Sequence, residues 1–219
     1  MKYLFFIISL LLLQNSVAQN PSIKVLDTDF SKGRLTLQQT IMLEDAVKLH
    51  GHLCDGMAVG FLGIREALYK LYPDSIIDRT NTRIVSKSSP CLTDIAMYLT
   101  GGRYQFNTFY VSDSINYSFI VQRTDNGKSY GVKLKPSVKS SAIDSLGNLA
   151  NMGKLDACGL DTLQGIENKF LHQLLVSAPQ DIFIVDEIQN FIWKPILSNS
   201  FLKTDVVNKN KPKCLRNKN

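Results

Sequence analysis

The octet LHGHLCDG, Leu49 to Gly56, holds two of the chain's three histidines and one of its four cysteines. His50, His52 and Cys54 stand two apart. In an extended segment alternate side chains share a side, so all three would converge. In a helix His50 and Cys54 still stack at i and i+4, and only His52 turns away. Either geometry sets an imidazole beside a thiol. Imidazole nitrogen and thiolate sulfur are the donors that zinc and related late transition metals favour.

A second cysteine belongs to the same argument. Cys54 precedes a helix that opens at Gly56, and Cys91 falls in the first turn of a helix that opens near Pro90. The N–H groups and dipole at a helix start stabilise a thiolate, so both thiols are expected to be acidified. Asp94, three residues after Cys91, can orient an imidazole or ligate directly. Asp55 reads as a cap of the second helix. Three readings stay open at this level: a metal site, a Cys54–Cys91 disulfide, or hydrogen-bonded histidines beside buried thiols without chemistry. Of the remaining candidates, His172 reads as a surface or capping residue and Cys158 as a buried thiol. Cys214 reads as a free thiol in the tail, and Phe191 and Trp193 as cover for a core.

The elements that must position these groups follow from periodicity and punctuation. Ile41, Leu43, Ala46, Val47 and Leu49 suggest a first helix over Leu35 to Leu49. Met57, Phe61, Ile64, Leu68 and Leu71 step by four and three, predicting a second helix over Gly56 to Tyr72 with a clear core face. Beside that face Gly56, Gly60, Gly63 and Ala67 form a stripe of small residues, where something packs close. TRIVSK is a strand, and SSPCLTDIAMYLTGG is a helix with serine and Pro90 at its start and two glycines at its end. Strands are expected over Phe106–Ser112, Tyr117–Arg123 and Ser129–Leu134, the last two joined by a hairpin at Asn126-Gly127. Helices over Ser140–Met152 and Asp161–Ser177 and a strand over Asp181–Ile188 complete the order. The fold class expected is α+β, several helices on one mixed sheet.

Length and composition fit one globular core: 219 residues, 44% hydrophobic and 20% charged. The start, MKYLFFIISLLLLQNSVAQ, has Lys2, an apolar run from Tyr3 to Leu13 and small residues at Ser16 and Ala18. This is the pattern of a secretory signal over residues 1–18. The run is shorter than the ~20 residues a spanning helix needs. The expected location is therefore the periplasm or outside the cell, and no transmembrane segment is expected once the signal is removed. Residues 19–34 form a lead segment, 35–190 the domain, and 191–219 an extension ending in a basic, disordered tail. The net charge of +6 is concentrated there: Lys203, Lys209, Lys211, Lys213, Arg216 and Lys218 against Asp205. With Lys2 removed as well, the body is near neutral, and no basic patch interleaved with aromatics points to nucleic acid.

LHGHLCDGMAVGFLGIREAL resembles the opening motif of the FmdE domain family, which takes its name from formylmethanofuran dehydrogenase, through His50, Gly51, His52, Cys54, Gly56, Gly60 and Arg65. SSPCLTDIAMYLTGG is similar to that family's second block, through Cys91, Asp94, Thr100 and Gly101. NGKSYGVKLKP and LLVSAPQDIFIV resemble its later blocks, so the likeness spans about Leu35 to Val185. The resemblance implies an α-β-α-β-β-β core with a mixed sheet, and a metal-binding role for His50, His52, Cys54 and Cys91 with Asp94 beside them. It makes a homodimer plausible. Three departures stand out. Asp55 replaces a proline, SINY stands where a glycine-lysine pair is expected, and the C-terminal zinc ribbon of many members is absent, leaving only Cys214. A family name carries a site and not a substrate. The expected function is binding of a transition metal, zinc by preference, or of a metal-containing small molecule. The alternative is an enzyme acting on a small substrate, with a metal-activated water or with Cys54 as nucleophile and His52 as base.

Overall fold

The computed structural model describes residues 20–195 and 209–210; the expected signal and Cys214 lie outside the described residues. Among the described residues, two mixed sheets, six α-helices and two short 3-10 turns make up the fold. The strands are β1 (Ser22–Thr28), β2 (Leu35–Met42), β3 (Ile76–Asp78), β4 (Thr82–Ser86), β5 (Phe109–Val111), β6 (Phe119–Arg123), β7 (Ser129–Leu134) and β8 (Phe183–Glu187). The helices are α1 (Leu43–His50), α2 (Asp55–Leu71), α3 (Pro90–Thr100), α4 (Ser141–Asn151), α5 (Ala157–Val176) and the single turn α6 (Pro179–Ile182). The larger sheet has the order β5-β4-β6-β7-β8, with β4 and β5 parallel and the other pairs antiparallel. From α2 through β7 the chain follows the expected α-β-α-β-β-β order, with the short β3 added. The smaller sheet, β2-β1-β3, was not foreseen.

The expected first helix is half strand. Leu35 to Met42 pairs antiparallel with β1, Val25 opposite Gln39 and Ser22 opposite Met42. Leu35, Leu37 and Ile41 stand at even spacing, and Thr36 and Thr40 are β-branched, which suits an extended chain. The helical stripe begins in earnest only at Leu43. There the Asp45 carboxylate accepts the Met42 N–H at 3.0 Å and starts α1. The lead segment of residues 19–34 contains β1, which buries Ile23 and Val25.

α2 is the centre of the molecule. Met57, Phe61, Ile64, Leu68 and Leu71 are buried against the inner face of the large sheet, with Ile84, Phe109, Phe119, Val121 and Val132 in the same core. Its small-residue stripe is filled from within the same chain. A side-chain carbon on Gly56 would lie 2.8 Å from Cys91 Cβ, and one on Gly60 would overlap Ile95 Cγ2. One on Gly63 would meet Phe183 and Val132 at 3.1 and 3.3 Å. The stripe thus lets α3 lie close against α2, which sets the height of Cys91.

Phe191 and Trp193 cover the other face of the large sheet, where Val85, Tyr110 and Ile120 form a second small core. The guanidinium of Arg83 stacks 4.5 Å from the Trp193 ring centroid. Within the basic tail, the Lys209 carbonyl accepts the Leu35 N–H at 3.1 Å, and its ammonium donates to Thr80 Oγ1 at 2.9 Å. Among the described residues no helix is long and apolar enough to cross a membrane.

Candidate metal centre

Three helix ends meet at one corner. α1 ends on His50 because Gly51 takes φ 102 and returns its N–H to Val47 O at 2.8 Å. That left-handed conformation is open to glycine at little cost. Three residues later Cys54 caps α2, its sulfur accepting the Met57 N–H at 3.4 Å. The cap is the thiol, not Asp55 as expected; Asp55 begins the helix and accepts its neighbour Gly56 N–H at 2.9 Å. Ser89 caps α3 through Leu92 N–H, Pro90 opens it, and Cys91 follows in the first turn.

These caps converge His50, Cys54 and Cys91. One ligand atom from each lies within 4.8 Å of the other two. The sulfurs are 3.2 Å apart, and Cys54 Sγ is 4.0 Å from His50 Nε2. His50 Nδ1 lies 2.8 Å from Asp94 Oδ2, and the imidazole is 6% exposed. With a carboxyl group as acceptor, Nδ1 carries the hydrogen and Nε2 turns its lone pair toward the sulfurs, the arrangement of a metal-ligating histidine with a carboxylate behind it. One imidazole nitrogen and two sulfurs form a donor set that fits a late transition metal.

His52 is placed differently. It is exposed and outside this group, its ring tilted against that of His50 at 4.7 Å between centroids. The imidazole beside Cys54 is therefore His50, and the expected pairing of Cys54 with His52 as base is not seen. Cys158, expected to be buried, is exposed in the first turn of α5, and His172 is exposed as expected.

The two sulfurs share a proton unequally. Donation from Cys91 first, then from the Met57 N–H, holds the Cys54 thiol down at about 6 against the desolvation of its half-buried position. Cys91 is pushed up by keeping that proton beside a thiolate. The acidification expected of both helix-start thiols falls on one of them.

A cleft of about 490 Å³ opens on Cys91 and Gly56, between the starts of α2 and α3 and the α4–α5 pair. Glu167 and Lys139 line it beside Asp55. Burial first, then the charges of Asp55 and Cys54, push the Glu167 carboxyl up. Glu167 was not foreseen as a site residue. A signal was present: it stands in register with Leu163, Phe170 and Leu174, a carboxylate in the apolar stripe of its helix. A second cavity, of about 570 Å³ near Arg79, Tyr98 and Arg103, lies at the far end of α3 and contains none of these donors.

Comparison with known proteins agrees with the motif reading. No curated protein matches the chain. A crystal structure at 1.90 Å of a tungsten formylmethanofuran dehydrogenase FmdE-like protein from Syntrophus aciditrophicus is similar at 16% identity and a TM-score of 0.42, covering 68% of this chain and 72% of that one. The family model described as FmdE, molybdenum formylmethanofuran dehydrogenase operon, matches residues 49–183, which include every donor of the corner. The chain belongs to the FmdE family.

Proposed function

We propose that this protein is an exported metal-binding member of the family, in which His50, Cys54 and Cys91 hold one zinc ion. The observation that supports this is the convergence of three donors from three helix ends within 4.8 Å. Asp94 fixes the tautomer and ring plane of His50, and Gly56 leaves room for Cys91 to approach. Three protein ligands are one fewer than a closed structural zinc site uses, so bound zinc would offer a Lewis-acidic position to water or a small molecule. The charges of two thiolates and a divalent ion cancel, which suits a half-buried site. Export rests on the composition of residues 1–18. A homodimer, if formed, would use a surface other than the small-residue stripe of α2, which is filled within the chain.

One observation favours a second reading. Sulfurs already 3.2 Å apart need little movement to form a disulfide, and exported proteins meet oxidants. Anaerobic purification of the mature protein, with metal and free thiol counted together, separates the two. The metal reading expects one zinc per chain, lost in His50→Ala and retained in His52→Ala. A metal-free Cys54–Cys91 disulfide refutes it.

A further inference from the structure

The cleft beside Cys91 has a sign. Asp55 and Glu167 both line it. Glu167 has no hydrogen-bond or ion-pair partner among the described residues, whereas the one cation of the lining, Lys139, is 2.6 Å from Asp144 outside it. Helix starts ordinarily invite an anion, but here three of the first-turn N–H groups are engaged within the protein. Met57 N–H is given to Cys54, Gly56 N–H to Asp55 and Leu92 N–H to Ser89. Ala150 and Asn151, in the last turn of α4 at the negative end of its dipole, also line the cleft. The remaining lining mixes the apolar Val59, Leu92, Leu134, Leu163 and Phe170 with Ser89 and Ser118.

We propose that this cleft binds a small organic cation, a protonated amine on an apolar body, with the nitrogen paired to Glu167 and the body against Leu163 and Phe170. The inference deepens the metal-centre reading by naming the ligand class of the same corner. It does not depend on metal occupancy: a zinc ion with two thiolates adds no net charge, and the metal-free corner adds the negative charge of the Cys54 thiolate, so the cleft keeps its sign in either state. The Glu167 carboxyl is pushed up by burial first and by the charges of Asp55 and Cys54 next, with Lys139 and His52 acting against them. A concave cleft that joins apolar side chains to a few converging polar groups is the usual make-up of a small-molecule site.

Three probes with one body and three charges test this: cyclohexylamine, cyclohexanol and cyclohexanecarboxylate. They are titrated into the full mature chain, zinc-loaded and metal-free, while the amide resonances of Gly56, Leu163 and Glu167 are followed. The amine should bind about tenfold or more tightly than the alcohol, as expected of a charge-assisted hydrogen bond. The carboxylate should be weakest. Glu167→Gln should remove that preference while keeping zinc, and Lys139→Gln should strengthen amine binding, an opposite change that loss of folding cannot mimic. Equal binding of amine and alcohol, no binding of any probe, or a Glu167→Gln protein with unchanged amine preference overturns the proposal. Failure of the metal reading shows separately, as absent zinc with the amine preference intact.

Discussion

Removing the carboxylate behind His50 tests how the corner is held. In Asp94→Ala the His50 Nδ1–H, on a side chain 6% exposed in the intact protein, loses a partner at 2.8 Å. A buried donor left without an acceptor costs about 1–3 kcal/mol. The Asp94 side chain is 31% exposed, so water reaches the vacated position and the lower part of that range applies. A loss of about 1–2 kcal/mol in holding Nε2 toward the sulfurs is about 5- to 30-fold in zinc affinity. Asp94→Asn keeps an acceptor but not its charge. Neutral hydrogen bonds are roughly half as strong as charge-assisted ones, so about 2- to 5-fold is expected. The assay is competition for zinc against a chromophoric chelator under reducing conditions, with far-UV circular dichroism to confirm folding. The order wild type, Asp94→Asn, Asp94→Ala supports the argument. A folded Asp94→Ala with unchanged affinity refutes it, because His50 would then need no orienting partner.

Gly60→Ala forces a carbon onto Ile95 Cγ2, and overpacking of this kind costs ~1–3 kcal/mol. Urea denaturation should show that loss, and the double variant with Ile95→Ala, itself a buried-core truncation, should lose less than the sum of the two single variants. In metal-free, reduced protein, alkylation of Cys54 should rise as pH increases through about 6, since its thiolate exists above that value and is lost below it. Cys91→Ala removes the donor that lowers it and should move the midpoint of alkylation upward. Trp193→Ala uncovers Val85, Tyr110 and Ile120; because the indole is half-buried, a cost of ~1–2 kcal/mol is expected, below the ~3–5 of a core tryptophan. A melting temperature equal to that of wild type would show that the segment covers nothing of consequence.

How far the sequence could be read depended on whether the deciding contacts were local. α2 was legible because its apolar residues repeat at helical spacing and all of them are buried, a local pattern with a global consequence. α3 was legible from its punctuation, since Ser89, Pro90 and Gly101 act within a turn of themselves. β2 was not, because its conformation is set by pairing with β1, a partner that short alternation in Leu35–Met42 does not name. The trio His50, Cys54 and Cys91 followed from donor chemistry and the two helix starts. The separation of His52 from it did not: it turns on Gly51, whose positive φ ends α1 and redirects the chain between the two histidines. Asp94 could be foreseen as an acceptor near an imidazole, but which imidazole is a tertiary fact. The close approach of α3 to α2 was half legible. Four small residues in line announced a tight contact, and only the fold shows that Cys91, Ile95 and Phe183 fill it.

One imidazole nitrogen and two sulfurs, brought together from His50, Cys54 and Cys91, are proposed to bind a single zinc ion. X-ray absorption at the zinc edge on the loaded, reduced protein measures that shell directly. Two sulfur scatterers at about 2.3 Å with nitrogen or oxygen at about 2.0–2.1 Å are expected, and one sulfur should vanish in Cys91→Ser. A shell of nitrogen and oxygen alone, or one unchanged by that substitution, contradicts it.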